Sequence, residues 1–468
     1  MHRKLGLPLL MALLLSLSVA SDRTGRGDLA SVTITIRSDG YVDPPTAPIQ
    51  RNGEIYTLTD NITIGQEATP VASLIIERDN IVLDGAGITI HNRASTPGSI
   101  HGITPIPVGI IVNGRDNITI KNIELIEFYY GIQLTSSSNI IIVSNTITAS
   151  RGAALFLSES SNNSILINDI RENSQALRFS KCNNNIVSGN NITSIHCDWW
   201  TFLLSESSNN TISNNTFANN GLFVIGSYGN IVDNNLVNGK PLVCLEGVSG
   251  YAVEDAGQVI LVDCSSIIIE NLSISDTDVG IELWRTNDTT IAQNKLTRNG
   301  FGIWLRYSGH NNISKNCLEE NSECGIWLEE SSDNNIIENN ITNNKNFGGL
   351  YLKQFSNNNH FYHNYWSSYD GLDANNDGIG DTPYVIDENN VDNFPQTNAE
   401  QAFQNLLQKY NDLRNDLTNL TSSYNEYKTS IQSELNYTKN LMYTFMATTT
   451  ALAVSTIYFA KRKPKKQP

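Results

Sequence analysis

The segment DANNDGIGD at residues 373–381 has the composition and spacing of a calcium-binding loop. Its oxygen ligands would come from loop positions one, three, five, seven and nine, which are Asp373, Asn375, Asp377, the main-chain carbonyl of Ile379, and Asp381. Gly378 at position six permits the sharp turn that such loops make. Position twelve is Tyr384 instead of an acid, so a metal-free turn rich in Asp and Asn is the alternative. The pattern predicts a structural Ca²⁺ site.

A second candidate site lies in the recurring phrase GIxL, whose variable residue points outward if the Ile and Leu of a strand point into a core. The outward residues form two columns, one of Glu282, Trp304, Trp327 and Tyr351, and one of Trp284, Arg306, Glu329 and Lys353. Aromatic rings stack on the apolar faces of sugars, and charged groups bond to sugar hydroxyls. The columns predict an exposed carbohydrate-contact strip. The alternative is that the aromatic rings pack against each other or against the C-terminal stalk.

Catalytic chemistry has weaker support in the sequence. Glycoside hydrolysis needs two carboxyl groups at a defined separation, and a lyase needs acids beside a basic residue. Five acids that could serve are scattered along the chain: Asp84, Asp198, Glu270, Asp276 and Asp278. His196-Cys197-Asp198 and the pair His360 and His363 resemble copper or zinc ligands, but isolated residues of this kind seldom bind those metals. The sequence favours a protein that is not an enzyme and does not bind copper.

These candidate residues belong to a repeat that recurs about every 20 to 25 residues. Each repeat contains a phrase such as NIIIVSNTI at 139–147 or NIIENNI at 335–341, and many also contain GIxL. Short alternating strands separated by Gly, Ser and Asn are typical of a β-solenoid, in which asparagines of successive coils hydrogen-bond to one another. A leucine-rich solenoid is the alternative, but it needs helix-forming residues on one face. The repeat predicts an all-β solenoid, a right-handed parallel β-helix of the pectate-lyase type.

The chain is divided by its changes in composition. The segments that we predict are a signal peptide at 1–20, an N-terminal cap with the first coils at 21–90, β-helix repeats at 91–369, a closing calcium-like loop at 370–395, a helical stalk at 396–440, a transmembrane helix at 441–460 and a basic tail at 461–468. Residues 238–265 break the period, and we expect them to project from one corner as an insertion.

The two ends of the chain predict its location. Residues 1–20 combine a basic start, an apolar run and a small-residue exit, and residues 441–460 are mostly apolar and precede KRKPKK. This arrangement predicts a single-pass membrane protein with its bulk extracellular or periplasmic. The formal net charge of −16 argues against a nucleic-acid partner. The six cysteines could form disulfides in such a compartment or remain buried thiols.

The stalk carries apolar residues at the spacing of a coiled coil. Heptad position a holds Phe403, Tyr410, Leu417, Tyr424 and Ile431, and position d holds Leu406, Leu413, Leu420, Tyr427 and Leu441, with interruptions at Glu434 and Thr438. This spacing predicts a coiled coil that makes the protein a homo-oligomer. A single amphipathic helix packed on its own domain is the alternative.

Taken together, residues 80–395 resemble the NosD-like right-handed β-helix proteins, which share the carbohydrate-binding and sugar-hydrolysis repeat domain. The resemblance rests on the repeats, on VNGKPLVCLE…AGQVILVDCS and on the closing NYWSSYDGLDANNDGIGDTPYVID. It implies a parallel β-helix on the cell envelope and, for the copper-accessory member, a role in maturing a metal centre. This chain departs from that role because it has few Met and His residues, and it is more similar to surface-anchored prokaryotic members, particularly archaeal ones.

The sequence therefore predicts a surface-anchored, non-catalytic protein that binds glycans or has a structural or adhesive role. Two alternatives remain open. One is a polysaccharide lyase or glycoside hydrolase with the β-helix fold, and the other is a copper-accessory protein similar to NosD.

Overall fold

A computed structural model of the chain describes residues 33–64, 72–93, 106–193, 200–375 and 377–461. The chain divides into two compact units, Met1–His360 and Phe361–Pro468. The predicted signal peptide, the residues His196, Cys197 and Asp198, and the basic tail beyond Lys461 lie outside the described residues.

The described residues between 33 and 238 form a first block of coils, built from short strands. These strands are β1 (Ile34–Ile36), β2 (Val42–Asp43), β3 (Ile49–Asn52), β4 (Ile55–Leu58), β5 (Ile62–Ile64), β6 (Ala72–Ile76), β7 (Ile81–Asn92), β8 (Val108–Asn113), β9 (Asp116–Ile126), β10 (Tyr130–Thr135), β11 (Ser138–Val143), β12 (Thr146–Thr148), β13 (Ala153–Ser158), β14 (Ser164–Leu166), β15 (Asp169–Arg171), β16 (Gln175–Ser180), β17 (Ile186–Ser188), β18 (Asn191–Thr193), β19 (Phe202–Ser205), β20 (Thr211–Ser213), β21 (Thr216–Ala218), β22 (Leu222–Ile225), β23 (Ile231–Asp233) and β24 (Leu236–Val237).

Strands of successive coils pair in parallel and stack into long sheets. One sheet contains β6, β8, β10, β13, β16, β19 and β22 in that order, and we call its surface the front face. Its register places Ile110, Ile132 and Leu155 over one another. These residues are fully buried because every second side chain of each strand points into the interior. The predicted parallel solenoid is confirmed for this part of the chain.

A second block of coils follows between residues 240 and 360. Its strands are β25 (Lys240–Glu246), β26 (Ala252–Val253), β27 (Gln258–Val262), β28 (Ile268–Glu270), β29 (Ser273–Ser275), β30 (Val279–Trp284), β31 (Thr290–Ala292), β32 (Lys295–Thr297), β33 (Phe301–Arg306), β34 (Asn312–Ser314), β35 (Cys317–Glu319), β36 (Cys324–Glu329), β37 (Asn335–Ile337), β38 (Asn340–Thr342) and β39 (Leu350–Lys353). The strands β25, β27, β30, β33, β36 and β39 pair in parallel.

The segment 238–265 does not project as an insertion, so that expectation was wrong. β25 pairs antiparallel with β24 through Leu236 and Pro241, which reverses the chain direction. β25 then pairs in parallel with β27, and β27 with β30. The break in the sequence period therefore marks the start of the second block, because a reversed strand cannot continue the parallel stack of the first.

Buried asparagines line the turns of both blocks, as the repeat predicts. The side-chain oxygen of Asn190 accepts the main-chain N–H of Asn168 at 2.9 Å, and its amide group donates to the carbonyl of Ile165 at 3.0 Å. Asn215 in turn accepts from Asn190. Asn294, Asn316 and Asn339 repeat the pattern in the second block. These bonds satisfy polar main-chain groups that the turns would otherwise bury without partners.

The second unit contains few strands and one long helix. β41 (Tyr365–Trp366), β42 (Tyr384–Val385) and β43 (Val391–Asp392) follow β40 (His360–Tyr362), and α1 runs from Asn398 to Lys461 over 64 residues. The predicted stalk is therefore helical and continuous with residues 441–460. Among the described residues, no helix contains a stretch long and apolar enough to cross a membrane, and the predicted span is not confirmed.

Candidate functional site

The first predicted column exists, but it is not exposed. Glu282, Trp304, Trp327 and Tyr351 are in register on neighbouring strands. Trp304 is only 5% exposed and Trp327 9%. The ring of Trp304 lies 4.1 Å from that of Phe223, which is an outward residue of β22 in the first block. The first block covers Glu282 and Trp304, whereas Trp327 packs on Phe301, Phe347 and Tyr351 of its own block. Glu282, Trp304 and Trp327 are therefore not the exposed carbohydrate contacts that the sequence predicted, and Tyr351 is half-buried.

We call the contact between the two blocks of coils the block junction. Polar side chains of the second block also bond there to the last front-face strands of the first block. Gln258 accepts the N–H of Leu222 at 3.0 Å and donates to its carbonyl at 2.7 Å, as a neighbouring strand would. Both oxygens of Glu282 lie 3.3 Å from the N–H of Val224. β22 would otherwise be an unpaired edge strand. Glu282 therefore has a structural contact here and not the accessible position that the sequence predicted.

Asp278 is a further buried acid at the block junction. Its carboxylate accepts the N–H of Thr201 at 2.6 Å and the hydroxyl of Thr201 at 3.0 Å. Burial raises the pKa of Asp278 to about 7, against the hydrogen bonds from Thr201, and burial raises the pKa of Glu282 well above its ordinary value. A perturbed carboxyl group can mark a catalytic site. Here both acids are enclosed, so their position favours a structural role.

The second predicted column forms a ladder of alternating charge, as expected. Glu329 lies 3.6 Å from Arg306 and 3.1 Å from Lys353, measured between the charged atoms. The guanidinium of Arg306 lies 5.0 Å from the ring centre of Trp284. Glu329 is buried, whereas Lys353 remains partly exposed. The charged groups of the ladder are thus paired with one another, and the indole N–H of Trp284 donates to the hydroxyl of Tyr228 at 2.8 Å.

The calcium-like loop adopts tight turns around its acids. Asp373 accepts the N–H groups of Asp377 and Gly378 at 3.1 and 3.0 Å, Asn375 also accepts that of Asp377, and Asp381 accepts that of Ala374. Gly378 has a φ of 87°, which favours glycine. In the part of the chain that the structure describes, no three His, Cys, Asp or Glu side chains are grouped so that they could hold a metal ion. Calcium binding, including the carbonyl ligand of Ile379, stays a prediction.

The described cysteines are mainly buried thiols. Cys182, Cys244, Cys264 and Cys324 are free. Burial raises the pKa of each of these thiols. A thiol with a raised pKa is a poor nucleophile and a poor metal ligand, so these four residues support packing instead of chemistry.

The sequence did not predict a groove at one corner of the first block, which we call the corner groove. It has a volume of about 430 Å³ and is lined by Ala86, Gly87, Asn122, Ile123, Glu124, Ser144 and Thr146. Ligand sites typically have volumes of about 300–1,000 Å³. The lining offers a carboxylate, an amide and two hydroxyl groups, which are the groups that bond to polyhydroxylated ligands.

An enlarged corner in β7 forms one wall of this groove. The register of β7 on β9 shifts between Asp84 and Ile88, because β7 has extra residues there. Ala86 and Gly87 have φ values of 52° and 78°, so the chain loops outward. A Cβ atom on Gly85 would lie 2.3 Å from the carbonyl oxygen of Asn122, so only glycine fits. The sequence did contain a signal of this corner, because the segment DGAG at 84–87 is two residues longer than the corresponding segment of later coils.

A charged network supports the floor of the corner groove. Asp84 lies 2.9 Å from the ammonium of Lys121 and accepts from Asn122 at 3.1 Å and from the N–H of Ala86 at 2.9 Å. Burial acts to raise the pKa of Asp84, but these hydrogen bonds together hold it below its usual value. Asp84 is therefore ionised at neutral pH and fixes the amide of Asn122. Glu124 accepts from the hydroxyl of Thr89 at 2.5 Å.

Comparison with solved structures finds several with distant similarity. The periplasmic alginate epimerase AlgG is 11% identical over 68% of this chain and 79% of that chain, with a TM-score of 0.27. DFA-IIIase from Arthrobacter chlorophenolicus A6 is 10% identical over 59% and 69%, with a TM-score of 0.32. The receptor-binding tailspike of bacteriophage Det7 is 12% identical over 64% and 70%, with a TM-score of 0.31. No curated protein matches the chain.

Two family models match the sequence, and together they span both blocks. The model described as periplasmic copper-binding protein (NosD) matches residues 36–235, and the model described as right handed beta helix region matches residues 247–391. The gap between the two matches coincides with β25, where the chain reverses. The chain is therefore a member of the NosD-like right-handed β-helix family.

Proposed function

We propose that the protein binds saccharides non-catalytically outside the cytoplasm, and that the corner groove is the contact site. The observation that carries the proposal is an open groove of about 430 Å³ with Asn122, Glu124, Ser144 and Thr146 along its lining. Amide, hydroxyl and carboxylate groups of this kind match the donors and acceptors of sugar hydroxyls. The pairing of β7 with β9 and the hydrogen bond from Asn122 to Asp84 hold these polar groups in place before a ligand arrives.

The charge of the corner groove favours neutral or amino sugars. Glu124 is a carboxylate of the lining, and the charge of Asp84 is balanced by Lys121. A uronate would bring its own negative charge beside Glu124, on a chain whose formal net charge is −16. We therefore expect acidic polysaccharides to bind more weakly than neutral ones.

The test is a glycan-array screen of the full chain, followed by measurement of Kd for any sugar that is retained. The double variant Asn122→Ala/Glu124→Gln removes two polar groups and should weaken binding by roughly 10-fold to 100-fold, at about 1 kcal/mol for each hydrogen bond. Asn214→Ala/Thr216→Ala is the matched control, since Asn214 has the same left-handed backbone as Asn122 and Thr216 lies in the same column as Glu124.

Two results would refute the proposal. The first is a full chain that retains no sugar, and the second is equal loss of affinity in the groove variant and in the control. Equal loss would indicate that the substitutions act through stability of the coils and not through contact with the ligand.

A lyase or hydrolase that uses the same groove is less well supported. Lys121 is held in an ion pair with Asp84 and is not free to accept a proton. The lowered pKa of Asp84 also prevents it from serving as the protonated acid that glycoside hydrolysis needs. Release of reducing ends or unsaturated products by the parent chain, with loss in Glu124→Gln, would favour the enzyme instead.

Copper binding is a second candidate function because the matching family model carries that description. The described residues contain no group of His, Cys, Asp and Glu that could hold a metal ion, and His196 and Cys197 lie outside them. Copper measured at near-stoichiometric level in protein purified without chelators would support this function. Calcium binding at residues 373–381 is tested separately by titration of the full chain and of Asp373→Asn.

The family description and the sequence patterns at residues 1–20 and 441–460 support a location outside the cytoplasm. The NosD model describes a periplasmic protein, and residues 1–20 have the pattern of a secretory signal. We propose that residues 441–460 attach the protein to the membrane. Cell fractionation tests this, because the full chain should sediment with membranes and a chain ending at residue 440 should not.

A further inference from the structure

The helix α1 carries an apolar seam that the described structure leaves uncovered. We define the stalk seam as Tyr410, Leu413, Leu417, Leu420, Tyr424, Tyr427 and Ile431. These side chains are between 45% and 71% exposed. Side chains of this kind are normally buried in folded proteins.

The spacing of the seam puts all its members on one side of α1. Successive members are separated alternately by three and four residues, which gives the repeat of 3.5 residues that a coiled coil requires. The opposite side is polar and includes Asn411, Asn415, Thr418 and Ser422. The seam is therefore a one-sided surface shaped for another helix.

The area of the seam matches that of a stable interface between two helices. Each member exposes on the order of 100 Å², so two copies would bury about 1,400 Å² in total, within the range of about 1,200–2,000 Å² for specific interfaces. At about 25 cal/mol per Å², this burial is a large driving force. An isolated helix gains little stability from its own hydrogen bonds, which is a further reason for a partner.

We propose that the stalk seam is the interface with a second copy of this chain, which forms a coiled coil over residues 410–431. A second copy is the favoured occupant because it presents the same seam with the same spacing and carries it wherever the first copy is located. The heptad is interrupted at Glu434 and Thr438, so the contact ends before residues 441–460. This inference does not depend on saccharide binding.

The experiment measures the mass of the full chain in mild detergent by light scattering coupled to size exclusion, with one chain at 51.7 kDa. The parent should show the mass of at least two chains. Leu413→Lys/Leu420→Lys places charges in the seam and should reduce the mass to one chain. Asn415→Lys/Ser422→Lys adds the same charges to the opposite side and should leave the oligomer intact.

Three results would overturn the inference. These are a single-chain mass for the parent both in detergent and after crosslinking in cells, an unchanged mass for the seam variant, and equal dissociation of both variants. Circular dichroism on each variant checks that α1 remains helical, so loss of the helix is distinguished from loss of the partner.

Discussion

Asp278 and Glu282 are acids enclosed by two blocks of coils, and their protonation is linked to the stability of the fold. Asp278 is 2% exposed and Glu282 3%. A carboxyl group whose pKa is raised by folding binds its proton more tightly in the folded chain than in the unfolded one. The stability that such a group contributes is therefore fully present below its unfolded pKa of about 4. It is lost as the pH rises through the folded pKa.

We predict that Asp278→Asn reduces the loss of stability with rising pH. The folded pKa of Asp278 is about 7, so the parent should lose up to about 4 kcal/mol from this group between roughly pH 4 and pH 8. The asparagine cannot ionise, and its side-chain oxygen can still accept from Thr201. Thermal unfolding of both proteins across this pH range measures the difference in slope.

Asp276→Asn is the control for this experiment. Hydrogen bonds from Arg298 hold the pKa of Asp276 below its ordinary value, against the raising effect of burial. The stability that Asp276 contributes is present above its unfolded pKa and is lost as the pH falls. Asp278→Asn and Asp276→Asn should therefore change the dependence of stability on pH in opposite directions. Parallel profiles for the parent and Asp278→Asn would contradict the prediction.

The individual coil owes its shape to two kinds of polar side chain. Buried asparagines such as Asn190 bond to main-chain groups of neighbouring coils, while the exposed side chain of Asn191 donates to the side chain of Asp169. The two residues are adjacent and identical in type, so the position in the coil decides the energetic role. A buried main-chain group without its partner costs about 1–3 kcal/mol.

Asn190→Ala should lower the free energy of unfolding by about 2–4 kcal/mol, because it leaves the N–H of Asn168 and the carbonyl of Ile165 without partners. Asn191→Ala removes a surface bond and should change it by less than about 0.5 kcal/mol. Chemical denaturation of the two variants measures both values. Similar losses in the two variants would show that the buried side chain of Asn190 contributes no more to stability than a surface amide does.

The block junction sets which surfaces of the molecule are accessible. Trp304 packs on Phe223 at 4.1 Å and on Trp327 at 5.8 Å between ring centres. The nitrogens of both indoles are buried and have no hydrogen-bond partner among the residues that the structure describes. Aromatic packing and the bonds from Gln258 and Glu282 therefore hold the two blocks together, and the outward side chains of Glu282 and Trp304 are interior to the protein.

Trp304→Ala should destabilise the protein by about 3–5 kcal/mol, as expected for the removal of a large buried ring. Tyr251→Ala is a suitable control because Tyr251 is 48% exposed and its loss should have little effect. Calorimetry of both variants measures the change. If Trp304→Ala were as mild as the control, the ring would be accessible to ligands, as the sequence alone predicted.

The sequence alone determined the coils, because each coil depends on local spacing. Ile and Leu alternate with polar residues, and Asn190 and its counterparts recur where each turn needs a buried donor and acceptor. The same spacing determined the register that brings Glu282, Trp304, Trp327 and Tyr351 into one column, and it predicted the helical stalk.

Only the tertiary structure decided which sides of the coils face solvent. The local sequence does not show which outward residues of a solenoid are covered by another part of the chain. Their burial depends on the reversal between β24 and β25 and on contacts between strands distant in sequence. A partial clue is that strands at the block junction, such as Phe202–Ser205 and Leu222–Ile225, lack the polar alternation of exposed strands. The corner groove likewise needed the stacked coils, because its wall and its floor come from different turns of the chain.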